Sequence, residues 1–261
     1  MTEQEYRQHP AVNKSTLWEL RKSPAHYKWA LEHPREDTPA LRFGRAFHMA
    51  VLQPEEFNDS YLIAPDIDRR TKAGREAWQK FMSAAGNKEL ISQSDYDMIN
   101  GMYEAIWSNE DAKALLEGCE TEKPVFWVDE HTGIECKCKM DAVKPGTLVD
   151  LKSCGDASNN AFLREALRYG YDVQAAHYLR GYRSLNITEP NATFWFIAVE
   201  KSPPYAVNVI RASDAFVDRG TWMLIDLMDK LVECRDKDEW PGYGTNEMVL
   251  PEWAEIPESD E

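Results

Sequence analysis

The sequence is short of positive charge: 30 Lys and Arg face 45 Asp and Glu, for a formal net charge of −15. That deficit argues against a nucleic-acid partner on first inspection, because phosphate binding draws on basic surface. The excess is unevenly spread, however. Residues 252–261 alone hold Glu252, Glu255, Glu258, Asp260 and Glu261, and a ring-shaped assembly could gather the few basic residues into one channel, so charge by itself excludes no partner. Long apolar runs are missing too. None approaches the ~20 residues a membrane-spanning helix needs, and the opening Met1-Thr-Glu-Gln-Glu-Tyr6 is polar and acidic, unlike a signal peptide. The expectation is a cytoplasmic protein with no membrane partner. Cysteine is sparse: Cys119, Cys136, Cys138, Cys154 and Cys234, an odd count without a paired framework, which points to reduced thiols. Repeats, low-complexity blocks and long Gly/Ser linkers are absent, and 261 residues at 43% apolar suffice for one sizeable core. One domain over 1–261 is expected, with a mainly helical layer over 1–110, an α/β core over 111–235 and an acidic tail over 236–261.

Local patterns divide the chain. Ser23-Pro24 reads as an N-cap followed by proline at the first helical position, opening a helix to about Glu32. Further helices are expected over Leu41–Leu52, Arg75–Ala85 and Gln93–Trp107, with Asp66–Arg75 a polar, basic loop. The period then changes. Lys123–Asp129, Gly133–Val143 and Thr147–Ser153 alternate or run apolar in short bursts between turn residues, predicting a three-stranded meander. A helical stretch from Asn160 to Leu185, interrupted near Gly170, precedes two more strands at Thr193–Val199 and Tyr205–Ile210. Ser213 then caps an amphipathic helix carrying Phe216, Gly220, Met223, Leu224, Leu227, Met228 and Leu231 on one face. This order describes an α/β core beneath a helical N-terminal layer.

The chemically informative stretch is Glu122–Lys152. Strand alternation puts Ile134, Cys136, Cys138 and Met140 on one face, and Glu135, Lys137, Lys139 and Asp141 on the other. Asp150 and Lys152 share a face of the next strand, so a hairpin would bring Asp141, Asp150 and Lys152 together. Phosphodiester hydrolysis needs charge stabilised on the attacking and leaving oxygens. Carboxylates holding Mg²⁺ beside an ammonium that orients water would provide this. For the tripeptide D-x-K alone an ordinary strand ion pair, with Asp141 at a turn, is the better account, and the hairpin geometry brings the two readings nearly level. Three further features bear on the choice. Glu122 opens the first strand of the meander, Gln174 and Tyr178 stand four apart on one helix face, and His48 lies in the helix Arg42–Leu52.

Together these residues resemble a known family. Gly44-Arg-Ala-Phe-His48, Glu122, Asp141, Asp150-Leu-Lys152 and Gln174-Ala-Ala-His-Tyr178 follow, in order and spacing, the motifs of RecE-type exonucleases, the exodeoxyribonuclease VIII family of the PD-(D/E)xK superfamily. Met140 stands where the signature has proline. The likeness extends to Leu52-Gln-Pro-Glu-Glu-Phe57, Arg69-Arg-Thr-Lys-Ala-Gly74, Thr132–Lys139 and Asp238-Glu-Trp-Pro241, which is most of the chain.

The resemblance implies a restriction-endonuclease-like α/β fold: a mixed central sheet flanked by helices. It implies one or two Mg²⁺ ions per subunit, with Mn²⁺ able to substitute and Ca²⁺ binding without efficient turnover. Asp141 and Asp150 would hold metal, with the Leu151 carbonyl an additional ligand and Glu122 and His48 completing a second ion's shell. Lys152 would orient water, and Gln174 and Tyr178 would position the scissile strand or the lysine. It further implies a toroidal tetramer digesting one strand of linear double-stranded DNA from its 5′ end, passing the survivor to a single-strand annealing protein of the RecT type. Arg45, Arg69, Arg70 and Lys72 are the candidate DNA contacts, although a solvated loop explains the last three equally well. Related nucleases with an iron–sulfur clamp cluster three cysteines near the C-terminus; here Cys234 stands alone, so no such cluster is expected. The competing readings are an endonuclease or Cas4-like nuclease of the same fold, a catalytically silent DNA-end-binding scaffold, and an acidic interaction protein.

Overall fold

In the computed structural model, residues 1, 3–33, 36–185 and 191–251 are described, apart from the side chains of residues 3 and 4. The acidic stretch 252–261 lies outside them. Side-chain caps start many of the helices. After α1 (Glu3–Gln8) and α2 (Lys14–Leu17), Ser23 accepts the His26 N–H to open α3 (Pro24–Glu32), and Thr38 accepts that of Leu41 to open α4 (Pro39–Leu52). α5 (Pro54–Ser60) follows at once. Thr71 caps α6 (Lys72–Ala85), Ser92 caps α7 (Gln93–Ser108) and Asn109 caps α8 (Glu110–Leu116). The basic segment 66–75 therefore turns helical at Lys72, three residues earlier than the sequence pattern suggests.

Beyond α8 the chain builds one sheet from β3 (Glu120–Val128), β4 (Glu135–Lys144), β5 (Thr147–Cys154), β6 (Thr193–Glu200) and β7 (Val207–Arg211), in that spatial order. The expected meander is present: β3, β4 and β5 pair antiparallel. β5 and β6 pair parallel through the crossover helices α9 (Asn159–Tyr169) and α10 (Tyr171–Arg183), and β7 returns antiparallel. Gly170 sits between the two helices in the left-handed conformation, φ 69°, which ends α9 at no Cβ cost. α11 (Asp214–Lys237), capped by Ser213, lies so close to α10 that a Cβ on Gly220 would stand 2.0 Å from the Asp172 carbonyl oxygen. A two-stranded parallel pair, β1 (Tyr61–Ile63) with β2 (Glu89–Ile91), lies outside the main sheet.

The sheet separates two apolar layers. One joins Leu17, Leu20 and Tyr27 with Cys136, Cys138, Met140 and the inner faces of α10 and α11; the other joins α4, α7 and α8 with Ala142, Val149, Leu151 and Ile197. Cys136 and Cys138 pack as core residues, and burial pushes the Cys136 thiol up to about 12. No described helix is long and apolar enough to cross a membrane.

Two details correct the strand reading and matter for the site. First, β3 starts at Glu120, so Glu122 lies inside the strand rather than opening it. Its φ of 51° is a backbone state that residues with a Cβ seldom adopt, and no pairing forms between Glu122 and Asp141 although the flanking residues keep register. Second, β4 changes its alternation at Asp141: Met140 and Val143 reach the same layer while Ala142 enters the other. β4 pairs with β5 only over Ala142–Lys144. The edge of β4 that β5 leaves open is taken by the N-terminal segment, where Val12 donates to Glu135 O and accepts from Lys137 N. Lys137, expected on a polar face, is instead buried at 3% exposure, its ammonium donating to the Tyr6 and His9 carbonyls at 2.6 and 2.7 Å.

Candidate metal centre

The place where β3, β4 and β5 lose their regular pairing is where the chemistry-bearing side chains meet. α4 buries Ala46, Phe47, Ala50 and Val51 against the sheet. Packing that face turns His48, one residue along, toward the end of β4, where its Nδ1 lies 3.4 Å from Asp141 Oδ2. His48, Glu122 and Asp141 each offer a ligand atom, and those three atoms all fall within 4.8 Å of one another. They face a cleft of about 1510 Å³, whose walls include Tyr6 and Gln8 of α1, Arg45 of α4 and Lys139 of β4.

Asp150 and Lys152 stand behind this triad. Asp150, 2% exposed, accepts a hydrogen bond from Gln174 Nε2 on α10, and its other oxygen contacts the Lys152 ammonium. Lys152 also lies over the Tyr171 ring, 4.6 Å from its centroid. Asp141 bridges the two groups, for its Oδ2 accepts the Leu151 N–H at 2.9 Å in place of a main-chain acceptor. The hairpin therefore brings Asp141, Asp150 and Lys152 into one neighbourhood, although Asp150, Lys152, Gln174 and Tyr178 are not on the cleft wall.

Burial and like charge set the protonation states. Burial, then the neighbouring Asp150 carboxylate, raise the Asp141 pKa well above the ordinary aspartate value, against the pull of Lys152 and the Leu151 N–H. Burial, with Lys152 next, lowers the pKa of His48, so its imidazole is neutral with a lone pair to donate. For Lys152 burial works downward, but Asp150 and Asp141 outweigh it and keep the amine an ammonium. Tyr178 is pushed well above 10, first by burial and then by Asp150, and stays a phenol able to donate. One neutral imidazole nitrogen and two carboxylates form a donor set suited to a divalent cation, and the charge crowding at Asp141 is what such a cation would relieve.

The basic candidates are placed differently. Arg45 lines the cleft with its guanidinium held by Asp37 at 2.6 and 2.9 Å, and with Glu89 at 3.5 Å. Arg69 covers the Trp78 ring at 4.6 Å, Arg70 pairs with Asp68 at 2.9 Å and Lys72 stands 4.0 Å from Glu76; none of these three lines the cleft. Sequence reasoning passed over Lys139, whose ammonium lies 2.5 Å from Glu122 Oε2. Its signal was available, since it sits two residues before Asp141 and so on the same strand face.

Comparison with known proteins bears on the family and the fold. Residues 13–249 match the model of the PDDEXK-like domain of unknown function family, DUF3799. No curated protein sequence matches. Among solved structures, the chain is similar to the crystal structure described as "Putative exonuclease" from Eubacterium rectale, with a TM-score of 0.66 and 16% identity over 93% of this chain and 89% of that one. A second structure, SSO0001, aligns at 14% identity over 81% of this chain and 86% of that one with a TM-score of 0.29, too low to weigh. The fold is restriction-endonuclease-like, and the chain belongs to the PDDEXK-like family DUF3799.

Proposed function

We propose that the protein is a divalent-metal-dependent exodeoxyribonuclease of the RecE type. It would degrade one strand of linear double-stranded DNA, 5′ to 3′, and leave a 3′ overhang for recombination by strand annealing. The observation that carries this reading is the convergence of His48, Glu122 and Asp141 at a cleft, with the Asp150–Lys152 pair directly behind. Family membership and a fold shared with the Eubacterium rectale protein support a nuclease; polarity, the toroidal tetramer, a RecT-type partner and a cytoplasmic setting belong to the proposal.

In this reading Asp141, His48 and Glu122 would hold Mg²⁺, and Asp150 and the Leu151 carbonyl would be its further ligands. A bound divalent ion would stabilise charge on the phosphate and make its water more acidic. Lys152 is a donor rather than a base, since its amine keeps its proton, and it would orient the attacking water. Gln174 fixes the Asp150 carboxylate, and so indirectly the lysine it contacts. Tyr178 has a proton to donate toward the scissile strand. Arg45 would exchange Asp37 for a phosphate at the cleft mouth, a bidentate exchange that guanidinium geometry favours.

The test is incubation with linear and covalently closed duplex DNA in Mg²⁺, beside an Asp150→Ala variant. Linear DNA should be lost steadily, closed circles spared and the variant inactive. Cutting of circles would move the assignment to an endonuclease. Binding of ends without turnover by either protein would leave a silent end-binding scaffold.

A further inference from the structure

The candidate metal centre contains its own cations. Of the three carboxylates gathered there, Glu122 and Asp150 each touch an ammonium, of Lys139 and Lys152 respectively. Asp141 instead meets the His48 imidazole and the Leu151 N–H. Lys139 and Asp141 lie two residues apart on β4 and both face the cleft, and Glu122 stands across from Asp141 on β3. The Glu122 carboxylate is thus shared between the ion triad and Lys139. The pairing is within reach of solvent, with side chains 16% and 27% exposed. The positive φ at Glu122, 51°, interrupts the ladder at this residue, a backbone state that persists only where its surroundings over-determine it.

Formal charge then limits occupancy. Three carboxylates and two ammonium groups sum to −1. One divalent ion takes these five groups to +1, whereas a second takes them to +3 while both lysines remain, beside an Asp150–Lys152 pair only 2% and 16% exposed. We propose that Lys139 is an internal counter-ion: its ammonium takes the position at Glu122 that a second ion would occupy, and it restricts the site to one divalent ion held by Asp141, His48 and Glu122. Lys139 is a positioning residue in this scheme, acting through Glu122. The inference rests on the metal-dependent reading above.

The test is calorimetric titration of the metal-free protein with Mn²⁺, with free Mn²⁺ counted by its electron paramagnetic resonance signal, on wild type, Lys139→Gln and Lys139→Arg. Wild type should bind one ion per chain. Lys139→Gln should bind two, the second within about tenfold of the first in affinity, and Lys139→Arg should return to one. Lys139→Met, which keeps the methylene stem, repeats the measurement should the glutamine perturb folding. Two ions on wild type, or one ion on both neutral variants, would overturn the counter-ion role while leaving a metal-dependent enzyme. No binding by any variant would remove the metal-dependent reading itself, and the inference with it.

Discussion

Replacing Asp141 with asparagine should stabilise the metal-free protein and make it the less stable of the two once metal is added. The argument starts from a buried carboxylate whose pKa is raised by burial and by Asp150. An acid that ionises at its ordinary value when unfolded, but resists ionising when folded, costs the native state stability from that value upward, and the cost grows until the folded group itself ionises. Its scale follows from the geometry. Glu122 and Asp141 offer ligand atoms within 4.8 Å of one another, and two like charges at that distance repel by about 0.9 kcal/mol at the dielectric of water and ~3.5 kcal/mol at an effective value of 20. Asparagine removes the charge and keeps an oxygen to accept the Leu151 N–H, while giving up the attraction to Lys152, so a net gain of about 1–2 kcal/mol is expected. For a chain of this size that raises the melting temperature by roughly 2–4 °C. Metal reverses the order. Mn²⁺ at 100 times its dissociation constant stabilises wild type by ~2.7 kcal/mol, whereas a variant binding a hundredfold more weakly gains only about 0.4 kcal/mol. Thermal melts at pH 8 in EDTA and in Mn²⁺ should therefore cross. A variant that melts below wild type in EDTA, or that shifts as far as wild type in Mn²⁺, would refute the reasoning.

Other consequences can be measured independently. His177 is buried with its Nε2 3.1 Å from the Lys137 carbonyl, and burial pulls its pKa from 6.5 to about 4. The unfolded chain takes up this proton below 6.5 and the native chain only near 4. Stability should therefore be intact above pH 6.5 and fall by about 1.4 kcal/mol per unit down to pH 4, ~3 kcal/mol in all. Chemical denaturation of wild type against His177→Gln should show this slope in their difference, and parallel pH curves would refute it. Gln174→Leu removes the donor to Asp150; turnover should fall about 10- to 100-fold, as for other residues that orient a metal-site carboxylate, with duplex affinity unchanged in a gel-shift assay. Gly220→Ala places a Cβ against the Asp172 carbonyl, backbone that cannot rotate away, and should cost about 1–3 kcal/mol in calorimetry.

Much of this architecture was legible along the chain because its signals are local. Ser23-Pro24 and Ser213 are caps whose side chains bond the N–H three residues on, and period-2 alternation located β4 and β5. The spacing of Asp141, Asp150 and Lys152 reports a hairpin, whereas His48, Glu122, Gln174 and Tyr178 were named through the resemblance of their order and spacing to the motifs of a known nuclease family. Short elements escaped. α5 and α8 are seven residues each and β1 and β2 three, too short for a hydrophobic period to repeat.

Capping, period and spacing are properties of neighbours in the chain, and they set the longer elements, most of their apolar faces and the approach of Asp141 to Asp150. The wiring of the site is a matter of tertiary packing. The left-handed turn at Glu122, the change of face at Asp141, the ammonium of Lys139 on Glu122 and the burial of Lys137 beneath residues 6–12 all depend on which strand edge is left unpaired. That is settled where β4 parts from β5 and distant segments compete for the vacant edge, a competition between parts of the chain that no local pattern records.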